Sequence, residues 1–261
     1  MNTGKVLYQG VPTADGGRRV DAAAVRVDPR APRIQVGRDP VSLFHDPHLA
    51  VIWKPSGLLS VAAPGRRDSH VLAAVARWFG SSYPVHRLDE ETSGLMMVAL
   101  TEKCQTALKA AFEAHEVQRQ YLAMVRAGFP MEKTVSTTLV RDRGDGKRGS
   151  GPDGKPATTH FRRLEEWRGG TLVRATLETG RTHQVRIHLS EGGFPIWGDE
   201  LYGGRQAMRY APRLALHAFR LAFRHPVTGK PMAFASPLAD DLERLRRDRG
   251  GHPDFSLDNG G

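Results

Sequence analysis

Asp89 leads the residues able to do chemistry. It lies in the polar run His86-Arg87-Leu88-Asp89-Glu90-Glu91-Thr92-Ser93-Gly94, which passes straight into the apolar stretch Leu95-Met96-Met97-Val98-Ala99-Leu100. A polar loop joined to a buried strand holds a carboxylate at the mouth of a core, because the rigid strand restricts the loop beside it. An ionised aspartate there can serve as nucleophile or base. A second segment, Glu178-Thr179-Gly180-Arg181-Thr182-His183-Gln184-Val185-Arg186-Ile187-His188-Leu189, supplies cations and amides able to keep such a carboxylate charged and to orient a polar substrate. If the fold brings Arg186 to Asp89, attraction at about 4 Å with an effective dielectric of about 20 is worth about 4 kcal/mol before desolvation, enough to hold a partly buried aspartate ionised. On chemistry alone a structural ion pair is the commoner outcome. Tyr121 offers a flat apolar face with a polar tip, suited to stacking on a pyrimidine, although a strand tyrosine is more often core packing.

Other chemistries find less support. His183 and His188 are five apart, a spacing that does not align two ligands on one helical face, and no cysteine pair accompanies them or His86 and His217, so no metal is expected. The single cysteine, Cys104, cannot form an internal bridge and falls in a helix-like pattern, which makes it a packed side chain in a reducing compartment. Ser93-Gly94 lacks the Gly-x-Ser-x-Gly elbow of a serine hydrolase. Residues 141–157 hold five glycines and a basic excess without periodicity. They read as a mobile loop able to touch an RNA backbone, not as a phosphate loop.

The elements that position these residues follow from hydrophobic periodicity. Leu49-Ala50-Val51-Ile52-Trp53 reads as a buried strand, Lys54-Pro55-Ser56-Gly57 as a turn and Leu58-Leu59-Ser60-Val61 as a second short strand. A helix follows, capped by Ser69, with Val71, Leu72, Val75, Ala76 and Phe79 on one face and Gly80 at its end. Residues 102–116 form another amphipathic helix, and Gln120–Val125 and Leu172–Leu177 read as strands. Thr182 is the expected cap of a helix ending at Gly192-Gly193, with a continued strand as the alternative. Leu214–Phe223 and Met232–Ala235 form a hairpin around the Pro226–Gly229 turn. The pattern predicts an α+β domain on a mixed, mostly antiparallel central sheet with flanking helices. Residues 41–245 make that domain. Residues 1–40 form an extension of small strands, including Val25-Arg26-Val27, and 246–261 a disordered polar tail.

Lys and Arg number 38 against 28 Asp and Glu, a formal charge of +10, which favours a polyanionic partner as much as it reflects a basic proteome. No stretch approaches the roughly 18 consecutive apolar residues of a membrane span, and the opening residues lack a signal-peptide core. A cytoplasmic protein without membrane contact is expected.

Six motifs in fixed order resemble those of the RluA-type pseudouridine synthases: Lys54–Leu58, His86–Leu95, Tyr121–Val125, Gly180–His188, Gly198-Asp199 with Tyr202-Gly203, and Leu216–Ala218 with His225-Pro226. The resemblance spans roughly Leu43 to Leu238 and implies the pseudouridine synthase fold. It implies Asp89 as the catalytic aspartate, Arg186 as its ion-pair partner, Tyr121 against the target uracil, Arg87 entering the RNA as the base leaves, and Ile187 among the substrate-binding residues. The implied reaction isomerises a uridine already in RNA, ribosomal before transfer RNA, by a monomer that needs no cofactor. Gly17–Asp21 followed by Arg33–Val36 is faintly similar to the later half of an alpha-L RNA-binding module, which suggests a truncated remnant or an ordinary structural extension in place of an intact RNA-binding domain. Trp53, Arg119 and Trp197 depart from the family's usual residues, and none of them removes a catalytic group. The rival reading is a noncatalytic RNA-binding or ribosome-assembly factor on the same fold, with a metal-dependent nuclease a remoter third.

Overall fold

A computed structural model describes residues 6–8, 11–13, 25–27, 39–65, 69–253 and 255. The chain divides into two compact units, one of Met1–Gln118 with Ala218–Asp240 and one of Arg119–His217 with Asp241–Gly261.

The first unit opens with a small antiparallel sheet of β1 (Val6–Tyr8), β2 (Val11–Thr13) and β3 (Val25–Val27), in the order β2-β1-β3. The strand expected at Val25–Val27 is β3. The two segments likened to an alpha-L module lie outside the described residues. β4 (Val41–His45) then pairs antiparallel with β5 (Leu49–Lys54), which pairs antiparallel with β7 (Ser93–Ala99), and β6 (Tyr83–Pro84) pairs antiparallel with the Val98-Ala99 end of β7. All seven residues of β7 are buried, which is why its sequence is a continuous apolar run without alternation. Helix α1 (Val71–Phe79) ends as expected at Gly80, whose left-handed φ of 82° lets its N–H reach Ala76 O. Its cap is His70 and not Ser69: the imidazole Nδ1 accepts from Ala73 N at 3.1 Å. Leu58–Val61 is not a strand. It keeps a single bridge, Leu59 to His70, and the Ser60 side chain is engaged elsewhere. Helix α2 (Glu102–Glu113) starts at Thr101, whose Oγ1 accepts from Cys104 N at 3.2 Å. Leu49, Val51, Leu95, Met97 and Leu108 form the core with Cys104, whose thiol is pushed up to about 11 by burial and stays protonated.

The second unit is built on β8 (Gln118–Arg126), β9 (Glu132–Val140), β10 (Gly149–Ser150), β11 (Lys155–Trp167) and β12 (Gly170–Leu177), in the order β10-β9-β11-β12-β8 with antiparallel pairing throughout. Residues 141–157, expected to be mobile, form a hydrogen-bonded turn between β9 and β11. Asp142 Oδ1 accepts from Gly144 N and Gly146 N, Lys147 Nζ donates to Leu201 O, and Glu191 receives both the Ser150 N–H and its hydroxyl. These are polar anchors that hydropathy does not register. Helix α3 (Gln184–Glu191) is capped not by Thr182 but by His183, held at a left-handed φ of 59° without a side-chain cap bond. Helix α4 (Glu200–Met208) follows, capped by Asp199.

The chain returns to the first unit in the expected hairpin of β13 (Leu216–Arg224) and β14 (Pro231–Ala235). It ends in the second unit with α5 (Asp240–Asp248). The polar tail expected from Arg246 therefore begins inside a helix. Arg246 is fully buried there, paired with Glu165 at 2.7 Å and Glu243 at 2.8 Å, so the anchor is an ion-pair cluster and not an apolar stripe. Among the described residues, no helix is long and apolar enough to cross a membrane.

Candidate active site

The loop carrying Asp89 runs from β6 to β7 and is gripped through its main chain. Ser60 Oγ donates to Leu88 O at 2.7 Å and accepts from Leu88 N at 3.0 Å. On the other side of Asp89, the carbonyl of Glu90 receives Lys54 Nζ at 2.8 Å and Gly57 N at 2.9 Å. Lys54 is fully buried, and its ammonium also donates to Pro55 O and Leu58 O, so a charge taken out of water is met by three backbone carbonyls. Ser56 Oγ reaches Glu91 O at 2.7 Å, and Thr92 N closes a turn onto Asp89 O. The Lys54-Pro55-Ser56-Gly57 turn is thus a clamp for the loop. Gly57, at φ 81°, supplies a left-handed turn that a side chain would strain.

Gly94 is demanded twice. Its φ is 114°, and a Cβ there would run into the main chain of Ala218. His86 Nε2 accepts from Met97 N at 3.0 Å, which fixes the neutral imidazole with its proton on Nδ1. The backbone on both flanks of Asp89 is therefore fixed, while its side chain is half-buried and that of Arg87 exposed.

In the second unit, Arg186 projects from α3 and is buried. Its Nε and Nη2 donate to the two Asp199 carboxylate oxygens at 2.9 and 2.8 Å, a two-bonded fork that sets the plane of the guanidinium. Asp199 is itself fully buried, and its Oδ1 also accepts the Tyr202 N–H that starts α4. The Tyr202 ring lies 5.2 Å from the Arg186 guanidinium, and its hydroxyl is 2.8 Å from His183 Nδ1.

Gln184 ties the preceding loop to the sheet. Its Oε1 accepts from Thr179 Oγ1 and Arg181 N, and its Nε2 donates to Thr158 O and Thr159 Oγ1. His188 sits between Thr159 Oγ1 at 2.9 Å and Thr137 Oγ1 at 3.1 Å. Burial drives its pKa down to about 4, against an upward pull from Glu191, so the ring is neutral at pH 7. Ile187 packs with Leu139 and Ala157 in the core, and Tyr121 is half-buried on β8 opposite Ala175.

Of the five residues singled out from sequence, Arg87 and Asp89 thus share one loop, Arg186 and Ile187 share one helix, and Tyr121 stands on β8. Sequence reasoning gave no role to Asp199 or Tyr202, though both sit in the fifth motif. The Asp-to-helix transition at Asp199-Glu200 was a usable capping signal. Lys54 was read only as part of a turn.

Residues 48–191 match the RNA pseudouridylate synthase family. The "Ribosomal large subunit pseudouridine synthase D" of Xanthomonas campestris is 39% identical over 226 residues, covering 78% of this chain and 67% of that protein. The "Dual-specificity RNA pseudouridine synthase RluA" of Escherichia coli is 39% identical over 205 residues, covering 76% of this chain and 92% of that protein. Among solved structures, "Human RNA Pseudouridylate Synthase Domain Containing 1" superposes with a TM-score of 0.71 at 26% identity, covering 87% of this chain and 95% of that one. The chain belongs to the RNA pseudouridylate synthases, enzymes that isomerise uridine within RNA, and has their α+β fold. Within them it is a member of the RluA-type group, as its ordered motifs indicate.

Proposed function

We propose that this enzyme converts uridine in ribosomal RNA to pseudouridine, as a cytoplasmic monomer, with Asp89 as its catalytic carboxylate. The observation that carries the reading is the clamp on Asp89. Lys54 and Ser60 pin the carbonyls on either side of it, so the carboxylate is presented from a backbone that cannot drift, as preorganised chemistry requires. The names of the relatives support ribosomal RNA as the target.

The reaction breaks the bond from the ribose C1′ to uracil N1, turns the base, and joins C5 to the same carbon. The C5 proton is lost and N1 gains one, so nothing is oxidised and no energy source is consumed. The target base must leave its stack, at a cost of a few kcal/mol. The exposed Arg87 guanidinium fills the space it vacates, Tyr121 lies against the flipped uracil, and Arg186 completes the substrate contacts, while Ile187, expected from the sequence to join them, is fully buried in the core and supports α3 instead.

The test is tritium release from RNA labelled at uracil C5, on bulk RNA lacking the modification. The unaltered protein releases tritium, whereas Asp89→Asn loses release by more than about a thousandfold with folding and RNA binding retained. Activity surviving in Asp89→Asn would remove Asp89 from the chemistry. Binding without release by either protein would leave a noncatalytic RNA-binding factor.

A further inference from the structure

The stripe by which α1 packs on the first unit runs out into solvent. Val71, Ala74 and Val75 are the buried residues of the helix, and Trp78 continues the same i, i+3, i+4, i+7 stripe. Yet Trp78 is 43% exposed, whereas Trp167 and Trp197 are buried and Trp53 is half-buried. The indole does not stand alone. Its ring centroid lies 6.1 Å from that of Phe79, and Phe79 lies 4.5 Å from His45, so three rings form a row from the end of α1 onto β4. Phe79 is half-buried and His45 exposed, which leaves aromatic surface at both ends of the row.

The charge around this row has one sign. Arg77, exposed beside Trp78 in the last turn of α1, makes no hydrogen bond or ion pair among the described residues. From Ser69 to Leu88 the chain has two arginines, Arg77 and Arg87, and no carboxylate. Asp46, next to His45 in sequence, is occupied by the His48 and Leu49 N–H groups and by His225. An exposed ring with a cation beside it and no local carboxylate suits a nucleic-acid strand, with a base on the ring and a phosphate on the guanidinium.

Helix α1 also starts at the clamp of the Asp89 loop. Val71 N and Leu72 N donate to Leu59 O and Ser60 O, and Ser60 Oγ donates to Leu88 O. Trp78 is six residues beyond Leu72, about 9 Å along the helix axis. A strand with its target uridine at Asp89 can therefore reach the Trp78 ring with a nearby nucleotide.

We propose that Trp78, with Arg77 beside it, is a stacking platform for an unpaired base of the RNA substrate other than the target uracil. The assignment rests on RNA as the substrate and on Asp89 as the place of the target uridine.

The test follows tryptophan fluorescence and affinity as an unmodified ribosomal RNA transcript is added at a range of KCl concentrations, with tritium release from the same transcript by the unaltered protein. RNA is expected to quench the unaltered protein through its exposed indole. Trp78→Leu keeps apolar bulk without the ring, and is expected to lose most of the quenching and to bind about tenfold more weakly at an unchanged salt slope. Trp78→Phe restores a ring face and is expected to recover most of the affinity. Arg77→Gln is expected to lower the slope of log affinity against log salt by about 0.7. Thermal melts check that each variant is folded.

Undiminished affinity and quenching in Trp78→Leu would overturn the platform, and tritium release by the unaltered protein would then leave the synthase reading standing. Equal weakening in Trp78→Leu and Trp78→Phe would overturn it too, since stacking needs only a ring face. A sedimentation coefficient that falls in Trp78→Leu while RNA affinity holds would overturn it in favour of a second copy of this chain. Weaker binding by Trp78→Leu, recovered in Trp78→Phe, with no release by the unaltered protein would support the platform and count against the synthase reading.

Discussion

The loop that carries Asp89 and the helix that carries Arg186 are fixed by different kinds of bond. Around Asp89, side chains grip main chain: Lys54 and Ser60 hold the carbonyls of Glu90 and Leu88. Along α3, side chains grip side chains: Arg186 with Asp199, His188 with Thr137 and Thr159, Gln184 with Thr159 and Thr179. The first scheme fixes the loop through its carbonyls and concentrates its dependence on the Lys54–Ser60 segment. The second buries the functional guanidinium itself, so that losing one partner strands a charge or a donor in the core.

The most damaging change to this contrast should be Asp199→Asn. Removing one member of a buried, two-bonded ion pair costs about 4 kcal/mol, which for a chain of this size lowers the melting temperature by about 10 °C. Denaturant unfolding measures it directly, and an unchanged midpoint would mean that α3 is not held through its charges. Lys54→Met comes next. It leaves backbone carbonyls of the clamp without their charged donor, at about 3 kcal/mol. Because the loop it frees carries Asp89, turnover should fall about tenfold while RNA affinity stays within about twofold. Steady-state kinetics with a parallel binding titration separates the two, and an equal change in both would mean that the clamp does not serve Asp89 in particular.

The smallest effect is a pH dependence from His188. Its folded-state pKa of about 4 lies below the ordinary value of 6.5, so the unfolded chain binds the proton more readily. Stability from this group is therefore full above about pH 6.5 and is lost as pH falls toward 4, by about 2 kcal/mol between pH 7 and pH 5. His188→Gln should remove that part of the slope in urea titrations at the two pH values. An undiminished slope in the variant would place the acid sensitivity in other groups.

Most of the secondary structure was legible because periodicity is a local property. The buried runs of β5 and β7, the Gly80 stop of α1 and the β13–β14 hairpin are written in consecutive residues. Two of the misreadings share one cause. The turn at 141–157 and the helix through Arg246 are anchored by ion pairs and hydrogen bonds to Glu191, Leu201 and Glu165, which lie tens of residues away. Hydropathy cannot see such partners. The caps at His70 and His183 were missed because neither residue is a usual capping type, and at His183 the backbone conformation, not a side-chain bond, makes the start of the helix.

By itself the sequence determined the class of chemistry, since ordered motifs around Asp89, Tyr121 and Arg186 identify the family, and the identity of a reactive group is a property of its residue. It also determined where β5, β7 and the two helices of the first unit lie, because burial pattern and capping act within a few residues. Only the tertiary structure decided that Lys54 serves as a buried clamp, that Asp199 sets the plane of the Arg186 guanidinium, and that the Arg119 guanidinium packs against Gly180. Those roles depend on contacts between residues 13 to 61 positions apart, and such contacts exist only once the chain has packed.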